Sequence, residues 1–193
     1  MTLLLCSASP RRRDLLAGLG LRFEVVAPAV DETRLPGESP EALAERLARQ
    51  KAAAGLLAFG RPAVAIAADT VVAVGSDDFA KPRNRADAAR MLRALSGRIH
   101  RVVSGVCVGR RGELRSLAVT TQVRFRPLSE EVIAWLASSG DGDDKAGAYA
   151  VQGLASAFID RLEGSFSNVV GLPLPETLEL LAGAGVKLPW GDW

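Results

Sequence analysis

Four apolar residues, Leu3-Leu4-Leu5-Cys6, run directly into Ser7-Ala8-Ser9-Pro10, and this junction constrains the fold more than any other stretch of the chain. A short continuous apolar run suits a strand buried on both faces inside an α/β domain. Ser9 is a good N-cap, and Pro10 suits the first helical position, where its missing N–H costs nothing and its φ is already set. A strand, a hydroxyl-lined turn and a helix therefore open the chain. The free N–H groups of that helix point back toward Ser7 and Ser9, with Arg11, Arg12 and Arg13 on its first turn. Phosphate oxygens fit such a place. Three cations at a helix N-terminus also oppose the macrodipole, a conflict that a bound polyanion relieves. The alternative is a solvated basic first turn.

The same pattern recurs along the 193 residues. Helices are predicted from about Pro10 to Leu19, from Ser39-Pro40-Glu41 to about Ala58, from an Asn84 cap through Ala88, Met91, Leu92 and Leu95, from Ser129 through Leu136, and over Glu176 to Ala182. Strands are predicted over Leu3–Cys6, Arg22–Val26, Ala63–Ala68, Val71–Val74 and Ala157–Ile159. A long hairpin, Ile99–Val108 and Leu114–Phe125, turns at Arg111-Gly112. Gly75-Ser76-Asp77-Asp78 reads as a turn, Lys81-Pro82 as extended, Ala27–Ser39 as a proline-bounded loop, and Gly164–Pro175 as a loop. No repeat, low-complexity segment or linker interrupts this. The expectation is one domain spanning residues 1–193, of α/β class, with a mixed central sheet and flanking helices.

Composition removes several functions. A net charge of +2 is too small for a duplex-binding face, and five per cent aromatic residues with one Tyr offers little to stack single-stranded bases on, so no nucleic-acid partner is expected. No signal peptide or long apolar run is present, so the chain is expected to be cytoplasmic, without a membrane partner. Cys6 and Cys107 are predicted in strands as buried, reduced thiols. His100 is the lone histidine, so any metal must be held by carboxylate and substrate oxygens. Neither a P-loop nor a G-x-G-x-x-G motif occurs.

Among the carboxylates, Asp69 carries most weight, because the predicted strand ending there puts it where open α/β sheets hold ligands. It reads as a base, as a metal ligand, or as a strand-end Asp bonded to its own turn. Asp31 and Glu32 could add a second oxygen ligand for Mg²⁺ or remain solvated. Lys51, Lys81 and Thr70 are ambiguous taken singly. Gln152, between Val151 and Gly153, is a polar residue in an apolar stretch whose amide could read a base edge or satisfy local backbone.

Together these residues resemble the Maf family of nucleoside triphosphate pyrophosphatases. The likeness runs from Leu3 to about Leu181 through Ser7-Ala8-Ser9-Pro10-Arg11-Arg12, Asp31-Glu32, Lys51, Ala68-Asp69-Thr70-Val71, Lys81-Pro82, Leu95-Ser96-Gly97 with His100, Lys145-Ala146-Gly147-Ala148-Tyr149, Gln152-Gly153 and Asn168-Val169-Val170-Gly171-Leu172-Pro173. Ala80 and Asp141-Gly142-Asp143 depart from the family pattern. The resemblance implies a Maf/ITPase-like fold with two lobes around a substrate cleft, hydrolysis of a nucleoside triphosphate to monophosphate and pyrophosphate, a divalent cation (Mg²⁺ or Mn²⁺), and a cytoplasmic protein, often a homodimer. The Gln152 and Asn168 segments look like the branch acting on dTTP and UTP. Asp69 carries over as proton acceptor, with Arg12, Thr70 and Gln152 as specificity positions. On that chemistry Ser7, Ser9, Arg11, Arg12, Lys51 and Lys81 are expected to hold phosphates, with Glu32 or Asp69 as metal ligand. A nucleotide-binding regulator of septum formation and a pyrophosphatase of another base preference are the rival readings.

Overall fold

The computed structural model describes residues 2–75 and 77–191, so the turn residue Ser76 lies outside the described residues. The elements are β1 (Leu3–Cys6), α1 (Pro10–Gly18), β2 (Glu24–Val26), α2 (Pro40–Phe59), β3 (Val64–Val74), β4 (Asp77–Phe79), α3 (Arg85–Leu95), β5 (Ile99–Arg110), β6 (Glu113–Phe125), α4 (Glu130–Ser138), β7 (Ile159–Glu163), α5 (Phe166–Val170) and α6 (Leu174–Gly183). They form an α/β fold on a seven-stranded mixed sheet of order β2-β1-β3-β5-β6-β7, with β4 paired to β3. β1 lies parallel to both β2 and β3, whereas β3–β4 and β6–β7 are antiparallel.

The chain divides into two compact units. One holds residues up to Asp69, Ser104–Val119 and the chain from Gly171 onward; the other holds Thr70–Val103 and Thr120–Val170. In the first, side-chain alternation along the strands sorts the core into two layers. Leu3 and Leu5 of β1 and Val64, Ile66 and Ala68 of β3 pack with Leu16 of α1 and Leu178 and Leu181 of α6. Leu4, Cys6, Ala65 and Ala67 face the other way, onto Ala48, Ala52 and Leu56 of α2. Both faces of β1 are covered, which is why its sequence is uninterrupted hydrophobe. In the second unit α3, α4 and the ends of β3, β5 and β6 enclose Val72, Leu92, Leu95, Val123, Phe125, Ile133 and Tyr149.

Small residues let α2 approach the sheet closely. A Cβ at Gly55 would lie 2.3 Å from Cys6 Sγ, and one at Gly105 would lie 2.1 Å from the Ala44 carbonyl oxygen. Three of the predicted caps form: the Ser39, Asn84 and Ser129 side chains accept from the N–H groups of Ala42, Asp87 and Val132.

Four expectations are corrected. Asp69-Thr70 does not break β3, which runs through both residues. Its backbone has β5 alongside and β4 at its far end, and main-chain pairing decides continuity whatever the polarity of two side chains. Asp77 and Asp78 belong to β4, so the chain turns earlier than expected, around Gly75 with its φ of 60°. Ala157 and Phe158 lie in a 3₁₀ turn, Leu154–Phe158, before β7 begins. The segment Gly164–Pro175 contains α5 and the start of α6. The Ser165 Oγ accepts the Asn168 N–H, and the buried Asn168 amide donates to the Val102 carbonyl and Thr121 Oγ, tertiary partners invisible to local propensity. Among the described residues no helix is long and apolar enough to cross a membrane.

Candidate active site

The parity of β3 fixes the direction of Asp69. Counting by twos from Ala65 and Ala67, which pack on α2, Asp69 falls on the α2 side, and Thr70 on the opposite side. The parallel pairing with β1 ends at Leu5↔Ile66, so β3 overshoots its neighbour and carries Asp69 past the last pair. This is the carboxyl end of β1, where open sheets hold their ligands, although Asp69 is not itself a strand end. Lys51 sits one helical turn before Gly55, on the face of α2 that packs against the sheet. Its Nζ reaches Asp69 Oδ1 at 2.5 Å and Glu32 Oε1 at 2.6 Å. One ammonium therefore joins two carboxylates, one from β3 and one from the loop between β2 and α2.

Arg12 braces the same unit from α1. Its Nε donates to the Gly171 carbonyl at 2.7 Å and its Nη1 to Ser7 Oγ at 3.2 Å, and Ser7 Oγ also accepts the Ser9 N–H. Burial pulls the Arg12 guanidinium below its ordinary value, the charges of Asp69 and Glu32 draw it back up, and Arg11 opposes them. Arg12 stays charged, since a guanidinium does not deprotonate in proteins. Ser9 occupies the N-cap position but its hydroxyl makes no capping bond, so the turn is held by Ser7 instead. The three arginines are thus split: Arg12 turns inward, Arg11 is half-buried, and Arg13 is exposed beside Asp14 at 3.7 Å.

The structure brings Ser7, Arg12, Glu32, Lys51 and Asp69 into one unit. Thr70, Lys81 and Gln152 belong to the other. Thr70 is half-buried, and Lys81 is exposed next to Ala80, whose carbonyl accepts the Gly147 N–H at 3.2 Å. Gln152 is exposed at the tip of a turn closed by Gly153 N–H to the Ala150 carbonyl, not enclosed by apolar neighbours as the sequence suggested. Gly147 and Ala148 both take positive φ, and the chain stays buried through Ala150 before Gln152 emerges. The departures at Ala80 and Asp141 leave these loops formed: Ala80 needs no positive φ, and Asp141 Oδ2 accepts the Leu154 N–H at 3.0 Å.

Sequence reasoning missed the Gly171 carbonyl that Arg12 bonds, and the pair formed by Glu38 and Arg46, which also bonds the backbone of Thr33 and Leu35. A glycine, Gly171, and opposite charges on either side of a predicted helix start were the available signals. Glu32 and Asp69 are hard oxygen donors already gathered around one cation, Lys51. Among the described residues there is no group of three or more His, Cys, Asp or Glu able to cage a metal. Such a donor pair fits an ion that brings its remaining ligands as water and substrate phosphate, the habit of Mg²⁺.

A family model described as Maf-like protein matches residues 2–184. The chain belongs to the Maf family. Its Maf relatives include proteins named dTTP/UTP pyrophosphatase from Myxococcus xanthus, 51 % identical over 97 % of this chain and 95 % of that one, and from Vibrio cholerae, 51 % identical over 93 % and 96 %. A third, from Cereibacter sphaeroides, is 50 % identical over 97 % of each chain and bears the same name. Ser7, Arg12, Glu32, Lys51 and Asp69 of this Maf chain all lie inside the matched residues.

Proposed function

We propose that this Maf chain hydrolyses nucleoside triphosphates between the α- and β-phosphates, releasing a monophosphate and pyrophosphate, with dTTP and UTP as its substrates. The observation that carries the reading is the Lys51 ammonium joining Asp69 and Glu32. The substrate class rests on the names of relatives about half identical over nearly the whole chain.

In this mechanism water attacks the α-phosphorus, its proton passes to the Asp69 carboxylate, and the α,β-bridging oxygen leaves with the pyrophosphate. Lys51 holds the Asp69 carboxylate in place through its 2.5 Å contact, so the acceptor is aimed before substrate arrives. Arg12, fixed through Ser7 and Gly171, presents its charge with little rotamer freedom left to lose. Ser9, Arg11 and Lys81 are proposed as further phosphate contacts, and Thr70 as a specificity position. A divalent cation, Mg²⁺ or Mn²⁺, would be held by Asp69 and Glu32 with the substrate, neutralising charge on the phosphate oxygens. A homodimer in the cytoplasm, with neither nucleic acid nor membrane as partner, remains part of the proposal.

Gln152 is assigned the base edge. Uracil and thymine present an N3–H donor between carbonyl acceptors, a pattern one primary amide complements, while cytosine offers an acceptor beside an amino group. Pyrophosphate release from a nucleotide panel tests this. dTTP and UTP are expected to exceed CTP, ATP and GTP, with a UTP-over-CTP margin of about tenfold that narrows in Gln152→Ala. Equal kcat/KM for UTP and CTP would remove the base preference and leave the phosphate chemistry standing.

A further inference from the structure

Glu32 reaches Lys51 from a loop with no regular structure of its own, and its side chain is 60 % exposed. An exposed glutamate on a free loop samples many rotamers, and holding it on one ammonium costs side-chain entropy. Something must restrict the loop. Glu38 and Arg46 do so with two parallel bonds, Nε to Oε1 at 2.6 Å and Nη2 to Oε2 at 2.8 Å. The Glu38 side chain is only 8 % exposed, so the pair is shielded from water where a surface pair would not be.

The same two residues then grip the backbone beside Glu32. Arg46 Nη2 also donates to the Thr33 carbonyl at 3.0 Å, the Leu35 N–H donates to Glu38 Oε2 at 3.0 Å, and Arg34 Nε donates to the Glu38 carbonyl at 2.9 Å. Asp31 Oδ1 accepts the Thr33 N–H at 2.9 Å, so both main-chain polar groups of the residue after Glu32 are bonded. Arg46 and Lys51 stand on one helix, α2, which makes the brace and the target of Glu32 parts of a single rigid element.

We propose that Glu38 and Arg46 are positioning residues: their paired side chains fix the 31–38 loop so that the Glu32 carboxylate is delivered to Lys51. The kinetic part rests on the triphosphate-hydrolase reading; the structural part does not. Arg46 holds the Glu38 carboxyl down to about 2, so the brace persists across the working pH range.

A double-mutant cycle with Glu32, joined to hydrogen exchange, tests the proposal. In Glu38→Gln and in Arg46→Lys, which keeps the charge but loses the fork, amides of the 31–38 segment are expected to exchange about tenfold faster, and kcat for dTTP to fall about tenfold with KM within about twofold. Glu24→Gln, which breaks the exposed Arg61–Glu24 pair at the edge strand, should change neither. If Glu38 acts through Glu32, adding Glu38→Gln to Glu32→Gln should lower kcat no further. Unchanged exchange in both brace variants, or additive losses in the double variant, would overturn the assignment. An unsubstituted protein that turns over no triphosphate would overturn the hydrolase reading instead, and the exchange measurement would still decide the brace.

Discussion

His100 is the lone histidine and lies in the core, its Nε2 bonded to the Tyr149 hydroxyl at 2.8 Å and its ring edge-on to Phe125 and Tyr149. Desolvation lowers its pKa from 6.5 to about 4, so the folded state holds it neutral where the unfolded chain would protonate it. Stability is then complete above about pH 6.5 and is lost as pH falls toward 4, by about 3 kcal/mol in all. Glu38 and Asp87, depressed to about 2, act in a lower window, since their contributions fade as pH falls from the ordinary carboxylate values toward 2. Urea unfolding between pH 6.5 and 4.5 therefore isolates His100. The unsubstituted protein should lose stability across that interval, and His100→Phe should be flatter; parallel curves would refute the assignment. The buried thiols behave as expected from sequence: burial pushes Cys6 up to about 12 and Cys107 up to about 11, so neither is a nucleophile.

At the scale of elements, α2 matters most, because it carries Lys51 and Arg46 together and is set against the sheet by Gly55 and Gly105. Replacing Gly105 by Ala puts a methyl group 2.1 Å from a backbone oxygen that has no rotamer to change. Thermal unfolding should show a loss of about 1–3 kcal/mol, and turnover should fall with it because α2 shifts relative to Asp69. Full stability with unchanged kcat would mean that the helix can move without consequence. The first half of this fold was legible because its signals are local: Ser39-Pro40 and Asn84 cap where the sequence places them, and the Leu3–Cys6 run is a doubly covered strand. What was not legible depends on tertiary partners. β3 continues through Asp69-Thr70 because neighbouring strands bond its backbone, and α5 forms around an Asn168 whose partners lie on β5 and β6. The exposure of Gln152 was not legible either, because a residue between apolar neighbours in sequence need not be surrounded by them in space.

Across the whole molecule, the residues picked from motif spacing divide between two compact units, with Ser7, Arg12, Glu32, Lys51 and Asp69 in one and Thr70, Lys81 and Gln152 in the other. The first set is assigned the phosphate chemistry, to which Lys81 is proposed to add a contact, while Thr70 and Gln152 are assigned the base preference, so preference and chemistry can fail separately. Asp69 is the residue on which the chemistry turns, and its bond to Lys51 makes the substitution informative. Asparagine keeps the shape and a carbonyl oxygen for Lys51 but cannot take up the proton. The decisive measurement is pyrophosphate release from dTTP by the unsubstituted protein and by Asp69→Asn, side by side, over a range of Mg²⁺ and Mn²⁺ concentrations. The account predicts pyrophosphate, not orthophosphate, from the unsubstituted protein, and a loss of about 10²–10⁴-fold in kcat for Asp69→Asn that added metal does not repair. Recovery at high metal would leave Asp69 as a metal ligand alone and remove it as the base, and turnover by Asp69→Asn equal to the unsubstituted protein would contradict the account.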